Sequence, residues 1–197
     1  MRILAFSDLH TDMETAAGLL ARSADVDLVI GAGDFASQHR GLEETIEVLS
    51  GIETPSLLVP GNNETEDALR SACAQWPSAR VLHGEGTDVD GVSFFGLGAG
   101  VPITPWDWSY DLSEEQAAEL VEGCPGEGVL VLHSPPLGHC DLSHGKNLGS
   151  SALAEAIEAR ELRLAVCGHI HESWGERSTI GSTEIVNLGP DGVLFEL

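Results

Sequence analysis

The sequence is poor in basic residues and has no long apolar run, and each scarcity excludes a class of protein. Only 9 of its 197 residues are basic against 32 acidic ones, which gives a formal net charge of −23. Such a surface repels nucleic acid and anionic membranes, so we expect neither long nucleic acid nor a membrane among the partners. No apolar run approaches the roughly 20 residues that a membrane helix needs. No signal-peptide pattern opens the chain either, and we expect a cytoplasmic location.

The cysteines lack any spacing typical of a disulfide framework or a zinc site. Cys73, Cys124, Cys140 and Cys167 form no CxxC pair, so we expect reduced thiols in a cytoplasmic protein. The chain has 42% hydrophobic residues, enough to build one domain over residues 1–197 with a sizeable core.

Buried strands alternate with amphipathic helices through the first 80 residues. The predicted strands are 2–7, 26–33 and 56–61, and the predicted helices are 13–23, 42–50 and 64–76. Apolar strands alternating with helices favour parallel pairing with both sheet faces covered. The second half predicts two short strands within 80–98, strands at 128–133 and 162–168, helices at 114–122 and 151–161, and two strands joined by a turn in 184–197. These patterns predict an α/β fold with two sheets packed face to face between helices.

Side chains that can bind metal follow five of the predicted strands. They are Asp8 and His10, Asp34, Asn62 with Asn63, His133, and His169 with His171. The carboxyl ends of parallel strands meet at one edge of a sheet, where ligands bind. Carboxylate, amide oxygen and imidazole are ligands that suit Mn, Fe, Zn or Mg. Taken singly, an Asp after a strand is typical of a turn or helix cap, but the ordered set across five strand ends favours a metal site.

The segment CGHIHESWG (167–175) places two imidazoles one residue apart after a strand. If the loop is extended, His169 and His171 point to opposite sides and Ile170 points inward. We therefore expect each histidine to address a different metal ion.

The ordered motifs D-x-H, G-D, G-N, H and G-H-x-H resemble those of the calcineurin-like metallophosphoesterases, and the resemblance runs from Asp8 to His171. The segments HSPPLGHCD and GHIHESWG are similar to a branch of small single-domain prokaryotic phosphodiesterases. The resemblance implies a four-layer α/β/β/α sandwich, with two mixed sheets packed face to face and helices outside.

The resemblance also implies two divalent metal ions, and it assigns each donor side chain to one or both of them. One ion is held by Asp8, His10 and His171, the other by Asn62, His133 and His169, and Asp34 bridges both. A hydroxide between the ions attacks phosphorus, and the catalytic residues are Asp34, Asn62 and Asn63. Mn is the expected metal, with Fe, Zn, Ni, Co or Mg as alternatives. Ligating histidines need a hydrogen-bond acceptor on their second nitrogen, and backbone carbonyls, Glu172 or Asp141 could serve.

One position departs from the family pattern. Asn63 stands where the family usually has a histidine that helps the leaving group depart, and an amide cannot donate a proton at working pH. His39, His139 or Lys146 could replace it, although each also fits an ordinary surface residue.

These features predict a metal-dependent phosphodiesterase that acts on small phosphoesters. The alternatives are a phosphomonoesterase or protein phosphatase, and a non-catalytic binding scaffold with a retained metal site. The loop 99–111, with Trp106, Trp108 and Tyr110, is a possible substrate wall. It could equally cap the sheet edge or bury the interface of a homodimer.

Overall fold

Two β-sheets form the centre of the molecule. The computed structural model describes all 197 residues. Its strands are β1 (Arg2–Phe6), β2 (Leu28–Gly31), β3 (Ser56–Leu58), β4 (Ala79–Val81), β5 (Glu85–Val89), β6 (Val92–Leu97), β7 (Val129–Leu132), β8 (Leu142–Ser143), β9 (Lys146–Asn147), β10 (Leu164–Cys167), β11 (Arg177–Ile180), β12 (Thr183–Asn187) and β13 (Val193–Glu196). The α-helices are α1 (Met13–Ser23), α2 (Leu42–Leu49), α3 (Glu66–Ala72), α4 (Glu114–Val121) and α5 (Ser151–Glu158). Short 3₁₀ turns occupy Cys73–Gln75 and His171–Ser173.

Both large sheets are mixed, as the family resemblance implied. The first sheet has the order β13-β1-β2-β3-β4, in which β1 to β4 are parallel and β13 is antiparallel to β1. The second has the order β11-β12-β10-β7-β6-β5, with four parallel central strands and an antiparallel strand at each edge. The strands β8 and β9 form a separate hairpin.

Alternating strand residues divide the core into three layers. Ile3 and Ala5 of β1 pack between the sheets against residues such as Val131 and Val166 of the second sheet. Their neighbour Leu4 packs outward against residues of α1, α2 and α3. On the opposite side, alternate residues of β7 and β10 pack against α4 and α5. The predicted four-layer α/β/β/α sandwich is confirmed, because central strands such as β2, β7 and β10 bury both of their faces, one against the other sheet and one against helices.

Helix starts follow their capping residues. Asp12 caps α1 by accepting from the N–H groups of Glu14 and Thr15, and Ser113 with Gln116 forms the predicted capping box of α4. The helix predicted at 64–76 begins later, at Glu66, because Thr65 is its cap. No helix has the length and apolarity needed to cross a membrane.

The structure confirms the two strands and the turn predicted in the tail and adds elements. The two strands lie in different sheets, and the segment 189–192 crosses from β12 to β13. The strands β4 and β11 and the β8–β9 hairpin were not predicted, because they are short and half-exposed and lack a clear alternation of apolar residues.

Candidate metal centre

Loops that follow five parallel strands meet at one edge of the sandwich and bring all seven predicted metal ligands together. Backbone hydrogen bonds hold these loops to each other. The N–H of Asp8 donates to the Gly33 carbonyl (2.9 Å), and the N–H of His10 donates to the Asp34 carbonyl (2.9 Å). Within the second sheet, just beyond the neighbouring strands β7 and β10, the N–H of Gly168 donates to the His133 carbonyl (2.9 Å). The side chains therefore meet on a framework of paired backbone.

Three of the ligands form an outer group, which consists of Asp8, His10 and His171. One donor atom from each lies within 4.8 Å of the others, a spacing that could hold a metal ion. The Nε2 atoms of His10 and His171 are 3.1 Å apart, and His171 Nε2 is 3.7 Å from Asp8 Oδ1. The side chain of His171 is 47% exposed, so the outer group opens to solvent.

A second set forms an inner group, which consists of Asp34, His133 and His169 and has the same spacing. Asn62 Oδ1 lies 3.2 Å from His133 Nε2 and 3.0 Å from His169 Nδ1. His133 is fully buried and its Nδ1–H donates to the Ala32 carbonyl (2.8 Å), which leaves Nε2 with its lone pair free for a ligand. A backbone carbonyl thus supplies the acceptor for this histidine.

Neither carboxylate that the sequence suggested as a partner for a ligating histidine has that role. Asp141 accepts from the N–H groups of Gly138 and Gly149, both at 2.9 Å. Glu172 contacts His144, whose backbone N–H donates to it at 2.8 Å. Both carboxylates organise the loop around the β8–β9 hairpin.

Asp34 lies between the two groups. Its Oδ2 is 3.5 Å from His10 Nε2 of the outer group, and its Oδ1 is 3.5 Å from His133 Nε2 of the inner group. Each oxygen faces a different group, so this carboxylate lies where two ions could share it.

The loop that carries His169 and His171 sends the two histidines to different groups, as predicted, but it is not extended. His169 has a φ of +68°, and the chain turns directly into the 3₁₀ turn at His171–Ser173. Ile170 is buried, as expected. A β-carbon on Gly168 would overlap the Asp8 carboxylate, so glycine is required for this close approach.

Glu64 is a buried residue to which sequence reasoning gave no role. Its carboxylate accepts from the backbone N–H groups of Asp34 (2.9 Å), Ala36 (2.9 Å) and Gly61 (2.6 Å). Burial and the neighbouring Asp34 raise the pKa of Glu64 to about 7. Glu64 thereby connects the loop after β2 to the loop after β3. In the sequence, only its position directly after Asn63 indicated a role near the site.

Trp174 also contacts a predicted ligand without having been singled out. Its Nε1–H donates to Asp8 Oδ2 at 3.1 Å, and its ring centroid lies 4.3 Å from that of His171. Trp174 therefore orients two members of the outer group at once.

The loop 99–111 reaches the inner group through Asn62. The Nδ2 of Asn62 donates to Ser109 Oγ (2.8 Å), and that hydroxyl donates to Asp111 Oδ1 (2.7 Å). With its nitrogen held by Ser109, the Asn62 oxygen faces His133 and His169. The loop is therefore part of the frame of the site.

Asn63 contacts Asp34 through both backbone and side chain. Its N–H donates to Asp34 Oδ1 (2.9 Å), its Nδ2 donates to Asp34 Oδ2 (2.7 Å), and its Oδ1 accepts from the Gln38 N–H (2.8 Å). Asn63 thus positions the central carboxylate. Of the replacements considered for the missing histidine, His39 contacts the Trp108 carbonyl, His139 contacts Ser178 Oγ, and Lys146 is exposed on β9.

No lysine or arginine side chain lines the site. Burial, with the charge of Asp8, raises the pKa of Asp34 to about 8. Burial, with neighbouring His133, lowers the pKa of His169 to about 3. For Asp8, burial acts upward, but contacts with His171 and Ser7 and the charge of His133 outweigh it, so its pKa lies well below its usual range. Neutral imidazoles beside carboxylates are the donor set that divalent cations bind, and the residues fit such ions.

Comparison with known proteins identifies the family. A model of the calcineurin-like phosphoesterase superfamily domain matches residues 1–193. The chain belongs to this superfamily. It is 27% identical to a UPF0046 protein of Caenorhabditis elegans over 95% of this chain and 69% of that protein. It is 26% identical to a probable cyclic nucleotide phosphodiesterase of Rhodococcus erythropolis over 81% of this chain and 56% of that protein.

The fold of this metallophosphoesterase matches solved structures over nearly its whole length. A dimetal phosphatase from Danio rerio superposes with a TM-score of 0.66, at 12% sequence identity, over 96% of this chain and 88% of that chain. At that identity the likeness concerns the fold alone. The family match supports a phosphoester hydrolase, and the superfamily typically binds two divalent metals.

Proposed function

We propose that this metallophosphoesterase hydrolyses phosphodiester bonds of small substrates at a centre of two divalent ions. The outer group, Asp8, His10 and His171, holds one ion, and His133 and His169 with Asn62 hold the other. Asp34 is shared. The observation that carries the proposal is the position of Asp34, whose two oxygens face different groups at the same distance of 3.5 Å.

Bound divalent ions supply positive charge for the phosphoester and lower the pKa of the attacking water. The chain's own residues fix the donors before the substrate arrives. Asn63 and Glu64 hold the Asp34 segment, Ser109 orients Asn62, and the Ala32 carbonyl fixes the tautomer of His133. In the reaction, water adds to phosphorus, the ester P–O bond breaks, and an alcohol and a phosphate monoester leave.

The residues around the centre favour a diester over a monoester. The polar cleft above the metal centre is lined by His10, Asp34, Ser37, Gln38, Asn62, Asn63, Trp106, Trp108, His169 and His171. No lysine or arginine is among them. A diester carries one negative charge and a monoester carries close to two, so a cleft without protein cations suits the diester. The name of the Rhodococcus relative points the same way.

Asn63 suits substrates whose leaving group departs without protonation. Its side-chain amide is hydrogen-bonded to Asp34 and to the Gln38 N–H, and an amide cannot protonate a leaving group. We therefore expect rates that fall steeply as the pKa of the leaving group rises. The metal we propose is Mn, because imidazole, carboxylate and amide donors suit it, as they also suit Fe, Zn, Ni, Co or Mg.

The test combines metal analysis with a pair of chromogenic substrates. Protein loaded with Mn²⁺ is analysed for bound metal and assayed with bis(4-nitrophenyl) phosphate and with 4-nitrophenyl phosphate. We expect two ions per chain at saturation and a higher kcat/KM for the diester. A higher kcat/KM for the monoester would support the phosphomonoesterase alternative, and bound metal with neither activity would support the binding scaffold.

A further inference from the structure

A second cavity opens beside the metal centre and differs from it in chemistry. This apolar cleft has a volume of about 340 Å³. One wall is formed by Pro102, Ile103, Thr104, Pro105 and Trp106, the other by Ser143 and Leu148, and the floor by residues 169–172. His169 and His171 belong both to this floor and to the polar cleft above the metal centre. A group attached to a phosphorus atom at the centre can therefore enter the apolar cleft directly.

Three large apolar side chains that line the apolar cleft are well exposed to solvent. Ile103 is 66% exposed, Trp106 50% and Leu148 45%. Large apolar side chains that converge around a cavity are typical of ligand sites, whereas scattered ones are ordinary surface. No lysine or arginine lines the cleft, and its single charged residue is Glu172. The cleft is thus suited to an apolar group and repels an anionic one.

Both walls are held in place by contacts independent of any ligand. Trp106 stacks on Trp108, with ring centroids 5.6 Å apart and planes inclined by 10°. Thr104 donates to Asp111 Oδ2 from its N–H (2.8 Å) and its hydroxyl (2.7 Å). On the other side, the Leu148 N–H donates to the Asp141 carbonyl (3.1 Å). A preformed cavity loses less entropy when it binds a ligand.

We propose that the apolar cleft binds one organic substituent of the phosphoester substrate, and that this substituent is an aromatic or branched apolar group without negative charge. The inference rests on the proposed function, because the phosphorus atom is placed at the metal centre. A cavity of about 340 Å³ lies at the small end of ligand pockets, so it accepts a group of one or two rings. Substituents that carry a carboxylate or a further phosphate are selected against.

The kinetic test uses three diesters with the same leaving group. Methyl, phenyl and 4-carboxyphenyl esters of 4-nitrophenyl phosphate differ only in the group that would enter the cleft. With Mn²⁺-loaded protein, we expect kcat/KM for the phenyl ester to exceed that for the methyl ester about tenfold, as burial of one ring face predicts. The carboxyphenyl ester should lose this advantage. Equal values for the phenyl and methyl esters would overturn the assignment of the cleft and leave the proposed hydrolysis intact.

Two leucines of equal exposure provide matched variants. Leu148 lines the cleft and Leu194 lies on β13 outside it, and both are 45% exposed. Leu148→Ala should reduce the phenyl-to-methyl ratio several-fold, whereas Leu194→Ala should keep it. An unchanged ratio in Leu148→Ala, or the same reduction in both variants, would contradict the proposal.

A binding measurement separates failure of the cleft from failure of the enzyme. Phenylphosphonate and methylphosphonate contain a P–C bond that hydrolysis does not cleave, and calorimetric titration of Mn²⁺-loaded protein gives their affinities. A phenyl preference that Leu148→Ala removes supports the cleft even if no ester is hydrolysed, and then the proposed hydrolase is wrong. No phenyl preference in either assay overturns the cleft.

Discussion

The outer and inner groups offer similar donors to a metal ion but differ in exposure and support. The side chain of His171 in the outer group is 47% exposed, whereas that of His133 in the inner group is fully buried. The inner group is backed by a backbone carbonyl at His133 and by the Asn62–Ser109 hydrogen bond. The outer group depends on Ser7 and Trp174 beside Asp8.

Because of this difference, the two groups should differ in their affinity for a metal ion although their donors are similar. Donors that are fixed before binding lose little entropy when the ion arrives, and a buried ion is shielded from water. We therefore expect the inner ion to bind more tightly and exchange more slowly than the outer one.

The largest effect on activity and metal content is expected at Asp34, which lies between the two groups. Asp34→Asn removes the charge that both ions would share, while the amide keeps the shape of the side chain. Because lost metal charge costs several kcal/mol in the transition state, activity should fall by about 100-fold or more. Metal content should fall at both positions, with little change in circular dichroism. Full activity with full metal content would contradict the shared role.

A pair of histidine variants separates the groups. His133→Ala should lose the inner ion and lower the melting temperature, because the buried Ala32 carbonyl loses its partner at a cost of about 1–3 kcal/mol. His171→Ala should lose only the outer ion after gel filtration and regain it at high Mn²⁺ concentration. Metal analysis and thermal denaturation of both variants would test this. Equal loss of metal in the two variants would show that the groups do not differ.

Glu64 supports the centre from behind the ligands. Glu64→Gln leaves one acceptor oxygen where the carboxylate accepts three backbone N–H groups, so the loops after β2 and β3 lose part of their connection. Changes of this kind typically cost about 10- to 100-fold in metal affinity. Titration with Mn²⁺ would measure it, and Glu44→Gln, at an exposed position of α2, is the control. Equal affinity in the two variants would deny Glu64 a positioning role.

The smallest effect is expected at Trp174. Trp174→Phe keeps an aromatic ring against His171 but removes the Nε1–H donor to Asp8. We expect the affinity of the outer ion to fall by about tenfold, the lower end of what loss of one hydrogen bond to a charged group predicts, with the inner ion unchanged. Competition with a metal-sensitive dye would resolve the two affinities. A change in affinity confined to the inner ion would contradict the assignment of Trp174 to the outer group.

The sequence predicted most of the site because its ligands lie directly after apolar strands. Asp8, Asp34 and His133 follow runs whose burial is evident from composition, and parallel pairing brings their ends together. The supporting contacts were not predictable in the same way. Glu64 and Trp174 follow no pattern, since their roles arise from loops that meet only in three dimensions. The left-handed backbone of His169 likewise depends on the close approach of Gly168 to Asp8.

The hydrogen bonds from Asn62 through Ser109 to Asp111 connect the inner group with the loop whose residues Thr104 and Trp106 wall the apolar cleft. We expect this connection to couple the binding of an ion at the inner group to the binding of an apolar group in the cleft. If an ion bound at Asn62 raises the affinity of the cleft for an apolar group by some factor, the apolar group must raise the affinity for the ion by the same factor. This follows because the free energies around a closed thermodynamic cycle sum to zero. Substrate and ion would then each dissociate less readily while the other is bound.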